Sequence, residues 1–406
     1  MKYYMVGIKG AGMSALAKLL VLDGHIVEGV DVGDDFYTSK SLENIKKYSF
    51  DEFILKDDFF YIIGNAYLEH DITKSVINSG LSYEYYPVFI SKYFKDFSMI
   101  AVSGSHGKTT SSTMLKTILN DSTYLIGDGS SGKGNNKNFI LEACEYKDTF
   151  LNYKPYIGLV LNIDYDHPDY FKNYNDYYVS FIKFMNNCNI CVINGDNISY
   201  RNKHIITYGM NKDNDVVFSY NDGKVIFNDS EYILPFKGLN YAYNFMGAYI
   251  VSKLLNVKDK DIFKRINLFK FPLRRNERIS YQNKIIINDY AHHPTEIKNI
   301  YDSLKEEYKN ANIVCIFEPH TISRLVCFKE QFKEVLDRFD KCYLYEVFTS
   351  VREKENKQII NDIYNYFGYS LYDENTIEEL KYFEGIICFL GAGNIDKEYV
   401  KFKKIC

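Results

Sequence analysis

One stretch decides the fold, and it reads Ser98-Met-Ile-Ala-Val-Ser-Gly-Ser-His-Gly-Lys-Thr-Thr110. An apolar run breaks into a glycine-rich turn, and a Ser/Thr-rich segment with a helical pattern follows. That order predicts a strand, a phosphate-binding loop and a helix. Because Gly104 and Gly107 carry no β-carbon, a polyphosphate can approach their N–H groups at the positive end of the helix.

Two side chains after the second glycine fit the same interpretation. Lys108 would neutralise the β- and γ-phosphates, an interaction of roughly 4 kcal/mol at about 4 Å and an effective dielectric of about 20. Thr109 stands where such a loop places a Mg²⁺-binding hydroxyl. The strict pattern G-x-x-x-x-G-K-[ST] is not met, because Val102 takes the place of its first glycine. The shortened loop G-x-x-G-K-T has strand and helix signals on either side, and it therefore predicts a nucleotide site in preference to a chance surface turn.

Composition bounds the class of protein. A chain of 406 residues exceeds the size at which one core keeps growing, so two or three domains are expected. The net charge of −4 offers no basic surface for nucleic acid. No apolar run approaches the roughly 18 residues that span a bilayer, so we expect a cytoplasmic protein without a membrane partner. The one C-x-x-C, Cys188 to Cys191, lacks a second pair at zinc spacing and is interpreted as two reduced thiols.

A second glycine-rich turn, Gly7 to Ser14, follows an apolar strand and opens an amphipathic helix. The next strand ends at Asp31, and a later strand ends in Gly64 and Asn65. This order predicts the opening of a doubly wound sheet, with a diphosphate at the helix N-terminus and Asp31 near a ribose or base. A tight turn that only packs helix on strand is the alternative.

Carboxylates follow two further strands. Glu142 and Glu145 come at the end of one, and Asp166 and His167 come after the next. Because the carboxyl ends of parallel strands meet at one edge of a sheet, we expect these groups beside the phosphate loop. Mg²⁺ prefers oxygen ligands and keeps several waters, so one or two carboxylates plus ATP oxygens suffice, and His is a less usual ligand. Ordinary strand-end polar residues are the alternative.

The last third of the chain repeats the strand–helix alternation, which predicts another parallel sheet. The pair Arg274-Arg275 precedes its first strand and marks a domain boundary. Polar clusters end three of its strands, namely Asp289 to Glu296, Glu318 to Arg324 and Gly391 to Asn394. Such clusters at successive strand ends predict a binding site, with plain helix caps as the alternative.

Together these strings resemble the Mur ligases of peptidoglycan synthesis. They are spread in order over nearly the whole chain, which makes the set more specific than any single motif. The matching strings are Gly7–Ser14, Gly104–Thr109, Glu142–Glu145, Asn162–Asp169, Arg274–Arg275, Asp289–Glu296, Pro319–His320 with Arg324, and Arg352–Glu353. The resemblance implies an α/β fold of three domains: an N-terminal Rossmann-like UDP-binding domain (1–95), a central P-loop ATPase-like parallel sheet (96–271) and a C-terminal Rossmann-like domain that binds the amino acid (272–406).

The strings look most like those of family members that add L-alanine to UDP-N-acetylmuramate. That resemblance implies a ligase that uses ATP and Mg²⁺, phosphorylates the lactyl carboxylate and lets the amine attack the acyl phosphate. It implies small-molecule partners, UDP-N-acetylmuramate and L-alanine, and a monomer or weak homodimer. Three alternatives stay open: a murein peptide ligase, a nicotinamide-dependent dehydrogenase and a non-catalytic nucleotide-binding regulator.

The resemblance also assigns site residues, position by position. The catalytic residues would be Lys108, Glu142, His167, His292 and Arg324. The Mg²⁺ shell would be Thr109, Glu142 and His167. ATP would be bound by Gly104, Ser105, His106, Gly107, Lys108, Thr109, Thr110, Asn244 and Arg275. The UDP substrate would be bound by Gly10, Ala11, Gly12, Met13, Ser14, Asp31, Gly64 and Asn65.

Two departures from the family pattern bear on these assignments. In the stretch G-x-H-N-x-x-N, Asn240 and Tyr241 replace His and Asn, so only Asn244 carries over as an adenine contact. Thr321 stands where some relatives have Arg, which leaves Arg324 as the fork for the amino-acid carboxylate. His292 resembles a residue that helps to place the amino acid.

Overall fold

The structure is a computed structural model that describes residues 1–33, 38–228, 230–348 and 356–405. The pair Arg352–Glu353 of the resemblance lies outside the described residues. The chain divides into two compact units. The first contains Met1–Asp164, Tyr178–Val217 and Asn244–Phe269, and the second contains Tyr165–Tyr177, Phe218–Tyr243 and Lys270–Cys406. Among the described residues, no helix has the length and apolar character needed to cross a membrane.

The first sheet is all parallel and lies in the first unit. Its strands are β1 (Lys2–Val6), β2 (Ile26–Asp31), β3 (Lys46–Ser49), β4 (Phe60–Ile63) and β5 (Tyr83–Tyr85), and its helices are α1 (Ala11–Leu22), α2 (Asp71–Asn78) and α3 (Tyr86–Tyr93). The strand order is β3-β2-β1-β4-β5, so the winding direction reverses beside β1. Open parallel sheets bind ligands at such a point. The turns after β1 and β4 carry the residues predicted to bind UDP.

The position of Ser91 to Phe97, just before the strand that leads into the phosphate loop, predicts a link between two domains. The segment is helical up to Tyr93, where α3 ends. Pro87 stands in the first turn of this helix, where a missing N–H costs nothing, and Phe89 and Ile90 are buried. Burial of these two side chains stabilises α3, although the apolar pattern of this segment covers few residues.

The second sheet carries the phosphate loop at its centre. Its strands are β6 (Ser98–Ser103), β7 (Thr123–Leu125), β8 (Ser131–Gly132), β9 (Asn138–Glu142), β10 (Ile157–Val160), β11 (Ile190–Asn194), β12 (Ile205–Gly209) and β13 (Val216–Val217). The order is β13-β12-β11-β10-β6-β9-β7-β8, and β8 alone of these strands pairs antiparallel. Helices in this part of the chain are α4 (Lys108–Ile118), α5 (Tyr174–Asn187), α6 (Leu239–Leu254) and α7 (Asp259–Ile266). Because β6 lies between β9 and β10, the loop is flanked by the ends of both strands.

A small antiparallel sheet follows in the second unit. It contains β14 (Ser219–Asn221), β15 (Lys224–Phe227) and β16 (Ser230–Ile233). The short alternating strands and the Asn-Gly and Asn-Asp turns from Cys191 to Tyr232 predict one sheet extension, and the second half of that prediction is wrong. Asp222 and Gly223 connect β14 to β15 in a tight two-residue hairpin, which favours a separate antiparallel pair.

The last sheet is doubly wound. Its strands are β17 (Glu277–Tyr281), β18 (Lys284–Asp289), β19 (Ile313–Phe317), β20 (Lys341–Leu344), β21 (Ser370–Leu371) and β22 (Gly385–Leu390). The order is β17-β18-β22-β19-β20-β21, with only β17 antiparallel among them. Its helices are α8 (Pro294–Glu307), α9 (Ile322–Leu336), α10 (Lys357–Phe367), α11 (Glu374–Lys381) and α12 (Ile395–Ile405). Short 3-10 helices elsewhere in the chain are Ser39–Leu42, Phe50–Glu52, Asn65–Tyr67 and Tyr146–Asn152.

Both faces of this sheet are buried. Cys315 and Phe317 of β19 pack on the side of α8, α9 and α10. Val314 and Ile316, the alternate residues, pack on the side of α11 and α12. Burial on both faces explains why these strands read as continuous apolar runs. The adjacent ends of β18, β22 and β19 carry the three polar clusters found in the sequence, so the predicted α/β fold class is confirmed.

Candidate active site

The phosphate loop joins β6 to α4 through two glycines with left-handed backbone. Gly104 has a φ of 135° and Gly107 a φ of 82°. A β-carbon on Gly107 would lie 2.8 Å from Oδ1 of Asn244, which projects from α6. Only glycine satisfies both the conformation and the close approach. Asn244 therefore lies against the loop, at the position where the sequence predicted an ATP contact.

The loop is braced by residues that follow β10. Asn162 accepts the N–H of His106 through Oδ1 at 2.9 Å and donates through Nδ2 to the carbonyl of His106 at 3.0 Å. Asp164 donates its N–H to Oγ of Ser105 at 2.8 Å, and its Oδ2 lies 2.9 Å from Nε2 of His106. Ser105 and His106, both predicted ATP contacts, are thus engaged by the protein itself. Neither Asn162 nor Asp164 had a predicted role.

The N–H groups at the start of α4, directly after the loop, are the groups that could bind a phosphate. A helix cannot pair the N–H groups of its own first turn, and these groups carry its partial positive charge. In α4 that turn contains Lys108, Thr109 and Thr110. The phosphate site is therefore expected at the start of α4, and the predicted contacts of Ser105 and His106 with ATP stay predictions.

Thr109 and Glu142 form a pair of oxygen donors. The Thr109 hydroxyl donates to Oε1 of Glu142 at 3.2 Å, and Oε2 of Glu142 accepts the N–H of Gly127 at 2.8 Å. A hydroxyl beside a carboxylate is the kind of donor set that suits a Mg²⁺ ion completed by water and phosphate oxygens. The sequence predicted both residues as Mg²⁺ ligands, and the structure brings them together. His167 belongs to the second unit, and its part in the same shell stays a prediction.

Lys108 is mostly buried, with 14% of its side chain exposed, and its ammonium donates to the carbonyl oxygens of its own loop. Its ammonium lies 2.9 Å from a carboxylate oxygen of Glu145, whose side chain is 1% exposed. Burial alone would lower the pKa of Lys108, but Glu145, with Cys144 and Glu142, raises it above its usual value. Lys108 is therefore a charged ammonium at neutral pH. The sequence placed Glu145 at this edge of the sheet without linking it to the lysine.

Two residues, Tyr67 and Asp31, contact the glycine-rich turn after β1 and order it. Gly7 has a φ of 83°, and a β-carbon there would lie 2.4 Å from the ring of Tyr67. The Tyr67 hydroxyl donates to Oδ1 of Asp31 at 2.7 Å, and Oδ2 of Asp31 accepts the N–H of Lys9 at 2.7 Å. Asp31 is 2% exposed. Its carboxylate orders the turn, and its predicted contact with a ribose or base stays a prediction.

The other predicted UDP residues follow in α1. Gly10 is the N-cap, and Ala11 and Gly12 open the helix. Met13 and Ser14 have buried side chains, and Ser14 donates its hydroxyl to the carbonyl of Ala11 at 2.9 Å. Contacts with a diphosphate at this point would therefore come from the backbone at the start of α1.

Two further contacts involve residues that were predicted to bind UDP, one with the 3-10 helix Tyr146–Asn152 and one with α3. Asn65, after Gly64, donates to Oγ1 of Thr149 at 2.9 Å. A β-carbon on Gly12 would lie 2.6 Å from the hydroxyl of Tyr86. Burial raises the pKa of Tyr86, and the charge of Glu142 adds to the effect, so this phenol stays protonated. No sequence pattern points to Tyr86, because an aromatic residue before Pro87 has no special meaning.

In the second unit, two arginines enclose Tyr290. The guanidinium carbons of Arg274 and Arg275 lie 5.0 and 4.9 Å from the centre of its ring. Arg274 is buried and donates to the carbonyls of Gly391 and Gly393 at 2.9 and 3.1 Å. Arg275 lies 3.3 Å from Oε1 of Glu296. Arg274 thus binds the backbone that follows β22. The predicted contact of Arg275 with ATP stays a prediction.

His292 is held in one orientation after β18. Its Nδ1 lies 2.9 Å from the carbonyl oxygen of Tyr290 and 3.2 Å from Oε2 of Glu296. Burial lowers the pKa of His292 in spite of Glu296, so the ring is neutral at pH 7. Because a carbonyl can only accept, Nδ1 must carry the proton, and Nε2 is the basic nitrogen.

Arg324 lies in the first turn of α9 and is paired with Asp166. Nε donates to Oδ1 of Asp166 at 3.0 Å and Nη2 donates to Oδ2 at 3.1 Å, while Nη1 lies 3.1 Å from Nδ1 of His320. Burial alone would raise the pKa of Asp166, but His167 and Arg324 hold it well below its usual range. His167, the next residue, has a φ of 57°, a conformation that a non-glycine residue adopts only when its surroundings hold it.

Glu318 joins the ends of β19 and β22. Its carboxylate accepts the N–H groups of Gly393 and Asn394 at 2.7 and 2.6 Å, just before α12. Burial raises the pKa of Glu318 to about 7, although these N–H groups and Arg274 oppose the shift. Glu318 fixes the loop that leads to His320 and Arg324.

The fold and these strand ends define an α/β protein with a glycine-rich loop between β6 and α4 and an adjacent Thr–Glu oxygen pair. Three family models match the chain: "Mur ligase family, catalytic domain" at residues 2–46, "Mur ligase middle domain" at 130–252 and "Mur ligase, glutamate ligase domain" at 274–387. The chain belongs to the Mur ligase family, whose members are ATP-dependent acid–amino-acid ligases of peptidoglycan precursor synthesis.

Solved structures share the fold over the full length. The UDP-N-acetylmuramate–alanine ligase MurC of Thermotoga maritima is 23% identical, covers 100% of this chain and 99% of its own, and gives a TM-score of 0.82. A murein peptide ligase of Psychrobacter arcticus is 21% identical, with coverages of 99% and 98% and a TM-score of 0.73. A pseudomurein peptide ligase type C of Methanothermus fervidus is 18% identical, with coverages of 100% and 100% and a TM-score of 0.66. The likeness confirms the three-domain α/β architecture expected from the sequence.

Proposed function

We propose that this chain joins L-alanine to the lactyl carboxylate of UDP-N-acetylmuramate at the expense of ATP. The observation that carries the proposal is the pairing of Thr109 with Glu142 beside Lys108, at the centre of the second sheet. ATP, Mg²⁺ and a nucleotide-activated sugar are the ligands that this site and the first glycine-rich turn would take. Because these substrates are cytoplasmic, we place the reaction there.

The first chemical step is transfer of the γ-phosphoryl group. An oxygen of the lactyl carboxylate attacks the γ-phosphorus, the bond to the β-γ bridging oxygen breaks, and ADP leaves with that electron pair. Such transfers depend on positioning and charge neutralisation, which Lys108 and the first-turn N–H groups of α4 supply. Mg²⁺ held by Thr109 and Glu142 would offset the charge on the β- and γ-phosphates. The product is an acyl phosphate.

The second step is attack of the amine on the acyl carbon. The amino acid enters as an ammonium and must lose a proton before it can attack. His292 is neutral, and its Nδ1 is held by the carbonyl of Tyr290, so Nε2 can accept that proton. The nitrogen of the tetrahedral intermediate has a second proton to lose, and this proton passes to the departing phosphate as the carbon–oxygen bond breaks, which leaves an amide and hydrogen phosphate. Arg324, with its partner Asp166, is proposed to orient the carboxylate of the amino acid.

The choice of a single amino acid over a peptide rests on the sequence. The strings of the chain resemble those of L-alanine-adding members. The murein peptide ligase activity is the second candidate. It shares the His-His-Pro string, here His292 to Pro294, with the first.

The test is phosphate release from ATP and Mg²⁺ with UDP-N-acetylmuramate. We expect release with L-alanine, and slower release with glycine or L-serine. Release chiefly with the tripeptide L-Ala-γ-D-Glu-meso-diaminopimelate would assign the peptide ligase activity instead. No release with either acceptor, together with ATP binding, would support a regulator, and binding of reduced nicotinamide would support a dehydrogenase.

A further inference from the structure

The ammonium of Lys108 already has a full set of partners in the protein. It donates to the carbonyl oxygens of Gly104 at 2.5 Å and Ser105 at 3.0 Å, and it lies 2.9 and 3.1 Å from the two carboxylate oxygens of Glu145. A lysine ammonium has three N–H donors. Two carbonyls and one carboxylate therefore use all of them, and a phosphate oxygen reaches Lys108 only by replacing one partner.

The three partners differ in how readily a phosphate can replace them. Gly104 and Ser105 belong to the loop, and their carbonyls are part of the backbone that leads into α4. Glu145 comes from a different part of the chain, three residues after the end of β9. It is the only one of the three that carries charge, and an anionic phosphate can take over the same electrostatic function. Glu145 is therefore the partner that a polyphosphate would displace.

The low exposure of the Lys108 side chain explains why a carboxylate, that of Glu145, lies beside it. The side chains of Lys108 and Glu145 are 14% and 1% exposed. A buried charge without a counter-charge is strongly destabilising, so Lys108 needs an anion whenever no nucleotide is bound. The same short stretch, Glu142 to Glu145, thus supplies one carboxylate to the oxygen pair with Thr109 and another to the lysine.

We propose that Glu145 is a positioning residue for Lys108: it holds the ammonium against the loop in the nucleotide-free protein, and it is exchanged for a phosphate oxygen when ATP binds. The inference rests on the proposed function in one respect, namely that the polyphosphate is ATP. The pairing of the two side chains can be tested without any assumption about the reaction.

The first experiment is a double-mutant cycle on stability, measured by urea unfolding of the full chain. Lys108→Met and Glu145→Gln each remove one charge of the ion pair, and each should lower stability. The double variant removes both charges, so it should recover at least half of the loss of Lys108→Met. Losses that simply add would overturn the inference. If one single variant does not fold, the double variant should still fold, and its failure would also count against the inference.

The second experiment measures ATP binding by titration. Glu145→Gln keeps an acceptor but removes the charge that competes with phosphate, so ATP should bind about tenfold more tightly. The KM for ATP should fall while kcat does not rise, a split that simple loss of structure would not produce. In the Lys108→Met background the same change should have little effect on ATP affinity. Unchanged or weaker ATP binding by Glu145→Gln would overturn the inference.

Asp128→Asn is the matched control, because it removes a half-buried carboxylate of the same unit that accepts the N–H of Ser130. It should leave ATP affinity within about twofold of the wild-type value, since Asn keeps the accepting oxygen and Asp128 has no contact with Lys108 in the structure's described hydrogen bonds and ion pairs. Failure of the wild-type protein to bind ATP would contradict the proposed function. In that event the stability cycle still decides whether Glu145 and Lys108 act as a pair.

Discussion

Asp166 occupies both parallel donors of the Arg324 guanidinium, Nε at 3.0 Å and Nη2 at 3.1 Å. The side chains are 6% and 4% exposed, so this is a buried bidentate pair. The sequence predicted Arg324 as a fork for the carboxylate of the amino acid. In the structure the Asp166 carboxylate accepts both of these hydrogen bonds. A substrate carboxylate must therefore share the guanidinium with Asp166 or displace the Asp166 carboxylate.

Removal of Arg324 should therefore affect stability as well as substrate use. Arg324→Ala leaves Asp166 buried without its partner, which should cost about 3–5 kcal/mol in the free energy of unfolding. Arg324→Ala combined with Asp166→Asn should recover part of that loss. In the proposed reaction, Arg324→Ala should raise the KM for the amino acid more than the KM for ATP. Urea unfolding and steady-state kinetics would check both; a variant as stable as the wild type would show that the pair is not structurally important.

Gly107 should not tolerate a side chain, for two separable reasons. Its φ is +82°, and its β-carbon would lie 2.8 Å from Asn244. Gly24 is a matched control, because its φ is +81° and nothing lies within 4 Å of its β-carbon. Gly24→Ala should cost about 1–2 kcal/mol from the backbone alone and leave ATP affinity unchanged. Gly107→Ala should cost more and weaken ATP binding; equal effects of the two variants would mean that contact with Asn244 is unimportant.

Glu142 should set the requirement for Mg²⁺. Glu142→Ala removes the carboxylate that lies beside the Thr109 hydroxyl. Since loss of even an outer partner of a metal site costs about 10- to 100-fold in metal affinity, the Mg²⁺ concentration for half-maximal turnover should rise at least tenfold. Thr109→Val tests the hydroxyl separately and should act in the same direction. An unchanged Mg²⁺ titration for Glu142→Ala would remove Glu142 from the metal site.

Glu318 should give the protein a distinctive pH dependence. Its pKa is raised from 4.5 to about 7 in the folded protein by burial. Between these values the folded state binds more protons at Glu318 than the unfolded state, so its contribution to stability is present at low pH and declines as the pH rises toward 7. Glu318→Gln should remove this slope. Unfolding free energies of both proteins between pH 4.5 and pH 7.5 would show the difference, and parallel curves would contradict it.

Local sequence patterns were sufficient for most of the fold. The apolar run from Gly385 to Leu390, bounded by glycine, predicts a strand from local sequence alone, and β22 has the same bounds. The same holds for the phosphate loop, where glycine spacing and the flanking elements are adjacent in the sequence. By contrast, β17 was not predicted, since its pattern Glu-Arg-Ile-Ser-Tyr is polar and it lies at the edge of its sheet.

Partners of the site residues were harder to predict, because they are distant in the sequence. Asn162 braces His106 across 56 residues, and Glu145 meets Lys108 across 37. Each of these residues follows a strand next to β6, but only the folded sheet decides which side chain it faces. The sequence thus predicted the chemical groups of the site, whereas Asp166 on Arg324 and Glu145 on Lys108 depend on tertiary packing.

The most direct test of the proposed reaction follows the oxygen atoms of the carboxylate. If ATP phosphorylates the lactyl carboxylate and the amine then attacks the acyl carbon, one carboxylate oxygen leaves with the phosphate. UDP-N-acetylmuramate labelled with heavy oxygen in both carboxylate positions would be incubated with L-alanine, ATP and Mg²⁺, and the phosphate analysed by mass spectrometry. The account predicts a single heavy oxygen in each phosphate and one in the amide product. Unlabelled phosphate would contradict it, because ATP would then have been cleaved by water rather than by the carboxylate.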